Sequence, residues 1–343
     1  SCYSNQSLRL DLRSQPNHQP RIPPMVNNME SSKRFSLVVI HRNGEQRLMD
    51  FLYSAYAVID PNQDEIILVD NNSTDTSLDT AASHYPSLQI IRNNFNSGYA
   101  TACNQGIRAS LGEYVLLCNN DILLPLNVLE QLLNDFTTYP DAGLIGGQLL
   151  ASDGKPSRSA GKVTRFSSEL GIKSKRKLNF NADNPTQVEA LYGAFMALRT
   201  SIVPDTGVLD EDFFFYYEET EWCFRIGQKG WKILFEPRIR IVHTGGASTK
   251  GFSKAAAIEL FRSRLLYWHK TMPKWQVSLL YSWHLPKLIV DCAFYGLMYL
   301  ATAGKKQKLK DKLFNKSYCV AWLISGKPES WGLPDRKKSM VTA

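Results

Sequence analysis

The chain of 343 residues lacks the short signatures that name many enzyme classes. Its six cysteines (Cys2, Cys103, Cys118, Cys223, Cys292, Cys319) form no CxxC pair, which argues against a zinc ribbon, a thioredoxin-like redox motif or a disulfide scaffold. Cys118 lies in an apolar strand-like run and Cys103 in a helix-like one, so buried thiols and a reducing, cytoplasmic setting are expected. No GxGxxG and no GxxxxGK[ST] occurs, which disfavours a dinucleotide-dependent dehydrogenase and a P-loop enzyme. No helix interleaves basic residues with base-contacting ones, so no nucleic-acid partner is predicted. Residues 1–34 show no apolar signal-peptide core. With Pro16, Pro20, Pro23 and Pro24 among asparagines and serines, they read as a flexible lead-in.

What is present is a basic chain of net charge +8 whose positive residues cluster. Lys173, Lys175, Arg176 and Lys177 form one group and Lys305 to Lys316 another, a pattern suited to a phosphate-bearing ligand or an anionic surface. Apolar, β-branched runs at Phe35–Ile40, Glu65–Asp70, Leu88–Ile91 and Tyr114–Cys118 alternate with helix-compatible stretches near Gln46–Val58, up to Ser83 and Tyr99–Ser110. Asn71 to Asp75 supply capping chemistry, and Pro125 is positioned to open a further helix as its first residue. Four strand–helix alternations predict a mostly parallel, doubly wound α/β sheet with its ligand beyond the carboxyl ends of the strands. Those ends carry His41, Arg42, Asp70, Asn71, Asn93, Asn94 and Asn119–Asp121.

Residues 151–189 are polar and basic and read as a long loop or partly ordered insertion. One strand is expected over Ala190–Leu198 and two short ones over Trp231–Phe235 and Arg238–Val242. Beyond residue 250 an amphipathic helix is expected over Ile258–Trp268, followed by the apolar stretch Val277–Leu300. Only about fifteen residues after Lys287 are mainly apolar, short of the roughly 20 that a spanning helix needs. With the lysine run at 305–312, this region (251–343) reads as an interfacial anchor on an anionic membrane face; a packed helical subdomain is the alternative.

The densest chemistry lies at Asp212–Trp222, an aromatic run ending in Glu218, Glu219 and Glu221. Three acids within four positions repel one another, and an ordinary helix gains nothing from crowding them. One acid with a pKa set by its neighbours is what general-base catalysis needs. Asp121 upstream and His243 downstream complete a candidate metal and base constellation.

Taken in order, these segments resemble the inverting family 2 glycosyltransferases of the GT-A fold, a Rossmann-like αβα sandwich, and especially their rhamnosyltransferase-like branch. The boxes are Leu68–Asp75 (V-D-N-x-S-T-D), Asn96–Ala100 with Asn104–Ile107, Asn119-Asn120-Asp121 in place of D-x-D, Tyr217–Arg225, and Val242-His243. They span about residues 35–250. The resemblance implies an inverting hexosyltransferase that uses Mn²⁺ or Mg²⁺ held by Asp121 and His243. It implies Glu219 as the base, where the family usually has Asp, supported by Glu218 and Glu221, with Tyr192, Gly193 and Trp222 near the acceptor. Donor contacts fall on His41, Asn43, Asp70, Asn72, Asn96, Gly98, Asn104, Asn119, Asn120 and Arg225, with Asp70 at the position that accepts the pyrimidine N3–H. The implied donor is a UDP- or dTDP-sugar, with rhamnose favoured by the branch. The implied acceptor is a hydroxyl of a bacterial surface glycan or lipid-linked saccharide, on the inner face of the cell membrane. His41-Arg42 replace the family's Thr-Tyr, which leaves Arg42 either a donor contact or an ion-pair partner. The competing readings are a sugar-phosphate nucleotidyltransferase, which would want a glycine-rich loop after the first strand where only Gly44 stands, and a catalytically inactive membrane-associated protein on a transferase fold.

Overall fold

In chain order the computed structural model contains β1 (Lys33–His41), α1 (Glu45–Tyr56), β2 (Asp64–Asp70), α2 (Ser77–His84), β3 (Gln89–Arg92), α3 (Tyr99–Ala109) and β4 (Gly112–Asn119). There follow β5 (Ile122–Leu123), α4 (Val128–Thr138), β6 (Ala142–Leu150), β7 (Ala160–Gly161), α5 (Phe166–Glu169), β8 (Thr186–Val188), β9 (Ala190–Leu191) and β10 (Phe195–Arg199). The chain continues through α6 (Val203–Thr206), α7 (Glu218–Gln228), β11 (Lys232–His243), α8 (Ser253–Thr271), α9 (Lys274–Ala301) and α10 (Gln307–Ile324). The structure describes residues 33–172, 183–244, 253–333 and 335–336. The expected N-terminal lead-in, apart from its last two residues, and the basic cluster at 173–177 lie outside these.

The main sheet runs β3-β2-β1-β4-β10-β6-β11-β5, with β8 also paired to β11. β1, β2, β3 and β4 are parallel to one another, while β10 runs antiparallel to both β4 and β6. The apolar runs that predicted β1, β2 and β4 are buried on both faces, as a sheet covered by helices requires, whereas the edge strand β3 is only partly covered. Register places His41 beside Asp70, Asp70 beside Arg92, and Ile40 beside Asn119. The polar strand ends therefore share one edge. Strand order reverses between β1 and β4, which opens the crevice where ligands bind in such sheets.

Several boundaries differ from the sequence reading, each for a local reason. Pro125 does not open a helix: its carbonyl accepts the Val128 amide in a turn, and α4 starts only there, after the short β5. The apolar run 190–198 is two strands, because the chain turns at Tyr192-Gly193 and changes sheets. The two strands expected at 231–242 are one, β11, with a register shift between Glu236 and Arg240 around Pro237. A proline cannot donate to the ladder, and a bulge absorbs that loss. The insertion at 151–189 contains β7, α5 and β8 in its described part.

The described residues form one compact unit. Two apolar layers cover the sheet, one built with Leu48, Phe51, Leu132 and Phe136, the other with Ala100, Ile107, Trp222 and Ile226. A third joins Phe213 to Phe261, Leu265, Tyr267, Trp268 and Trp322, so α8 and α10 pack against the main body. Burying side chains of this size contributes roughly 1.5–3 kcal/mol each. α9 is different. Trp275, Trp283, Val290, Phe294 and Leu297 remain exposed along it, and Lys274–Ala301 continues through Pro286. Among the described residues no helix is long and apolar enough to cross a membrane.

Candidate active site

At the reversal point lies a cavity of about 650 Å³, within the size range of small-molecule sites. Its β1 side is held by a relay of hydrogen bonds. Asn120 donates to Nδ1 of His41 (2.7 Å), Nε2 of His41 lies 2.7 Å from Ser77 Oγ, and the Ser77 hydroxyl donates to Asp75. Burial lowers the His41 pKa to about 4, so the ring is neutral and its tautomer fixed by these partners. Asn71 ties the next loops together, donating to Asn96 Oδ1 (2.7 Å) and to the Gly98 carbonyl (3.1 Å) and accepting from the Ser97 amide (2.8 Å).

Asp121 and His243 come from opposite halves of the chain to adjacent positions. β5 pairs with the end of β11, matching His243 to Ile122, and Thr244 donates its amide to the Asp121 carbonyl over 3.1 Å. This brings His243 Nε2 within 3.3 Å of Asp121 Oδ1, yet that buried oxygen makes no hydrogen bond. A carboxylate oxygen and an imidazole nitrogen facing one another unbonded fit a shared divalent cation. The donor set suits Mn²⁺ or Mg²⁺, which complete their coordination with water and substrate phosphates. Among the described residues no cluster of three or more His, Cys, Asp or Glu gathers as a metal site, so these two side chains would leave positions open for phosphate oxygens.

The carboxylates enter from α7. Tyr216 (φ 72°) and Tyr217 (φ 70°) precede it in the left-handed region, an arrangement that bulky residues adopt only when packing enforces it. Ser263 of α8 supplies part of that enforcement by donating to the Phe215 carbonyl over 2.8 Å. Glu218 and Glu219 line the cavity, and each has a buried carboxylate oxygen without a hydrogen-bond partner. Burial raises Glu219 to about 7. Glu218 lies well above its ordinary value through burial and then the charge of Glu219. Burial thus favours the protonated form of both carboxyls, and the charge of Glu219 adds to that effect at Glu218.

Of the residues proposed from sequence, His41, Asn43, Asn96, Gly98, Asn119, Asn120, Asp121, Tyr192, Gly193, Glu218, Glu219 and His243 line this cavity. Six do not. Glu221 is ion-paired to Arg225 at 2.7 Å, and Arg225 also donates to the Thr206 and Val208 carbonyls, so the two clasp the segment before α7. Trp222 is fully buried and donates to the Gly207 carbonyl. Asn104 donates to the Leu209 carbonyl and accepts its amide. Asp70 accepts the Ser73 amide, and Asn72 turns the same loop at φ 67°. These contacts give the six partners within the protein, away from the cavity lining. The cavity also receives Arg42, Arg47, Arg158, Phe214, Leu333 and Asp335. Arg158 stacks its guanidinium on Tyr192, 5.3 Å from the ring centre.

Residues 36–203 match the family model described as Glycosyl transferase family 2. An N-acetylglucosaminyl-diphospho-decaprenol L-rhamnosyltransferase of Mycobacterium tuberculosis is 27% identical over 208 residues, covering 54% of this chain and 67% of that protein. A low-salt glycan biosynthesis hexosyltransferase of Haloferax volcanii is 27% identical over 240 residues, covering 67% of this chain and 74% of that one. A mannosyltransferase of Pyrobaculum calidifontis, solved with GDP-Man and Mn²⁺, superposes with a TM-score of 0.53 at 16% identity, covering 85% of this chain and 86% of the other. The last comparison speaks to fold alone. Residues 36–203 are a glycosyl transferase family 2 domain, and the chain is a glycosyltransferase of the GT-A fold.

Proposed function

We propose that the chain transfers a hexosyl group, with inversion, from a UDP- or dTDP-sugar to a hydroxyl of a surface glycan or lipid-linked saccharide. The observation that carries this reading is the pair of unpartnered buried carboxyls, Glu218 and Glu219, in the same cavity as Asp121 and His243. Glu219 accepts the proton of the acceptor hydroxyl as that oxygen attacks the anomeric carbon from the face opposite the departing diphosphate. Glu218, protonated, keeps a second negative charge away from the attacking oxygen. Phe214, Phe215, Tyr216 and Tyr192 wall the cavity and limit the water that would otherwise intercept the donor. His41, Asn43, Asn96, Asn119 and Asn120 present polar atoms to the nucleotide. A divalent cation held by Asp121 and His243 would neutralise charge on the leaving diphosphate as a Lewis acid.

Rhamnose as the sugar and a lipid-linked acceptor are supported by the name of the mycobacterial relative. A peripheral position on the inner face of the membrane is supported by the exposed apolar stripe of α9, followed directly by Lys305, Lys306, Lys308 and Lys310. The testing experiment is a thermal-shift panel of UDP- and dTDP-sugars, each with and without Mn²⁺ or Mg²⁺. Stabilisation that needs both one nucleotide and the metal is expected, since a ligand of the folded state raises the melting temperature. A flat response across the panel would overturn the reading.

A further inference from the structure

After α10 the chain turns back and sends a strap, residues 328–333 with 335–336, across to the cavity. Its base is anchored on α8. Glu259, with no solvent exposure, takes Arg262 on one oxygen and Arg336 on the other, each at 2.7 Å. Arg262 also donates to the Pro328 and Trp331 carbonyls, and Trp322 Nε1 donates to Pro328 over 3.0 Å. The tip of the strap puts Leu333 and Asp335 into the cavity lining. There Asp335 Oδ2 lies 2.5 Å from the Arg42 guanidinium, at the end of β1, and accepts from Asn96 Nδ2 at 3.4 Å. Asn96 is the residue that Asn71 holds in place.

An anchored carboxylate here works against the charge of the donor. Arg42 is a cation in the nucleotide half of the cavity, yet its charge is already matched by Asp335. A nucleoside diphosphate entering that half meets a neutralised guanidinium and one extra negative group. We propose that Asp335 is an affinity-setting residue: it holds Arg42 until the phosphates of the donor displace the carboxylate and take the guanidinium over. The C-terminal region thereby tunes donor binding from a position about 240 residues beyond Asn96 in sequence. This rests on the nucleotide-donor reading above. It differs from a role for Asp335 as a direct donor ligand, which predicts the opposite sign.

Binding of uridine, UMP and UDP, and of the thymidine series, would be measured by calorimetry with Mn²⁺ present. The proteins are the full chain, Asp335→Asn, Arg42→Ala and the double variant, with a melting curve of each to confirm folding. Asp335→Asn is expected to bind the diphosphates about three- to tenfold more tightly, the range of a partly exposed charge pair. The gain should shrink for the monophosphates, vanish for the nucleosides, and be absent when Arg42→Ala is also present. Unchanged or weaker diphosphate binding by Asp335→Asn, or an equal gain for the nucleosides, would overturn the proposal. Failure of the unaltered chain to bind either series is a separate result, one that removes the donor reading itself and this inference with it.

Discussion

Tyr99 donates its backbone amide to the carbonyl of Phe214 over 2.9 Å. The first turn of α3 is thus tied to the loop that delivers Glu218 and Glu219, and the Tyr99 hydroxyl extends the tie to Gly193 at 2.6 Å. The residue before it, Gly98, has φ 87°, and a Cβ there would stand 2.7 Å from the Phe214 oxygen. Gly98→Ala is therefore expected to destabilise the fold by about 1–3 kcal/mol and to lower kcat together with the melting temperature. Urea unfolding and steady-state kinetics on the same preparation check this. A variant with unchanged stability and turnover would show that the tie does not matter.

Glu219 and its neighbour should respond unequally to the same change. Glu219→Gln is expected to lower turnover by about 10²–10⁴-fold while leaving donor affinity near normal. Glu218→Gln has the shape of the protonated acid that burial favours there and should keep activity within about tenfold. Single-turnover rates beside donor titrations separate the two. Equal losses would remove the division of labour drawn between them.

Rate and stability should move in opposite directions with pH. With Glu219 as the proposed base and burial holding it at about 7, turnover should climb from pH 5.5 and level off above about pH 7.5. A carboxyl whose pKa in the folded protein lies above its ordinary 4.5 favours the folded state below that value and loses this contribution as pH rises through about 7. Glu219→Gln should therefore gain melting temperature relative to the parent at pH 8 compared with pH 5. An unchanged difference between the two pH values would contradict the buried assignment.

Asp121→Ala and His243→Ala are each expected to weaken Mn²⁺-dependent binding of the nucleoside diphosphate by about tenfold or more. Binding of the nucleoside alone should be left unaltered. Chelation of the metal in the parent chain should reproduce the deficit. If the metal enhances binding as strongly in both variants, the cation sits elsewhere.

β1, β2 and β4 could be read from the chain because a strand covered on both faces has no polar alternation to obscure it, as Leu37–Ile40 and Ile66–Val69 show. The proposed catalytic neighbourhood stood out for a different reason. Carboxylates packed beside aromatics, as at Phe213–Glu219, are costly unless used. The carbonyl contacts of Asn104 and Arg225 could not be read from sequence, because a polar side chain that clasps a carbonyl has the same composition as one that clasps a ligand; the positions of Leu209, Thr206 and Val208 reveal them. Asp335 carries no local signal. Its meaning comes from the packing of α8 and α10, which no periodicity encodes.

The region matched by the family model ends at residue 203, before both Glu219 and His243. The strained pair Tyr216-Tyr217 that aims α7 is braced by Ser263, and the nucleotide end is touched by Asp335. The matched segment is thus half of a tool. Grafting it alone onto another scaffold would carry across a nucleotide cradle without a working edge, and shuffling between relatives must exchange the piece together with its C-terminal helices.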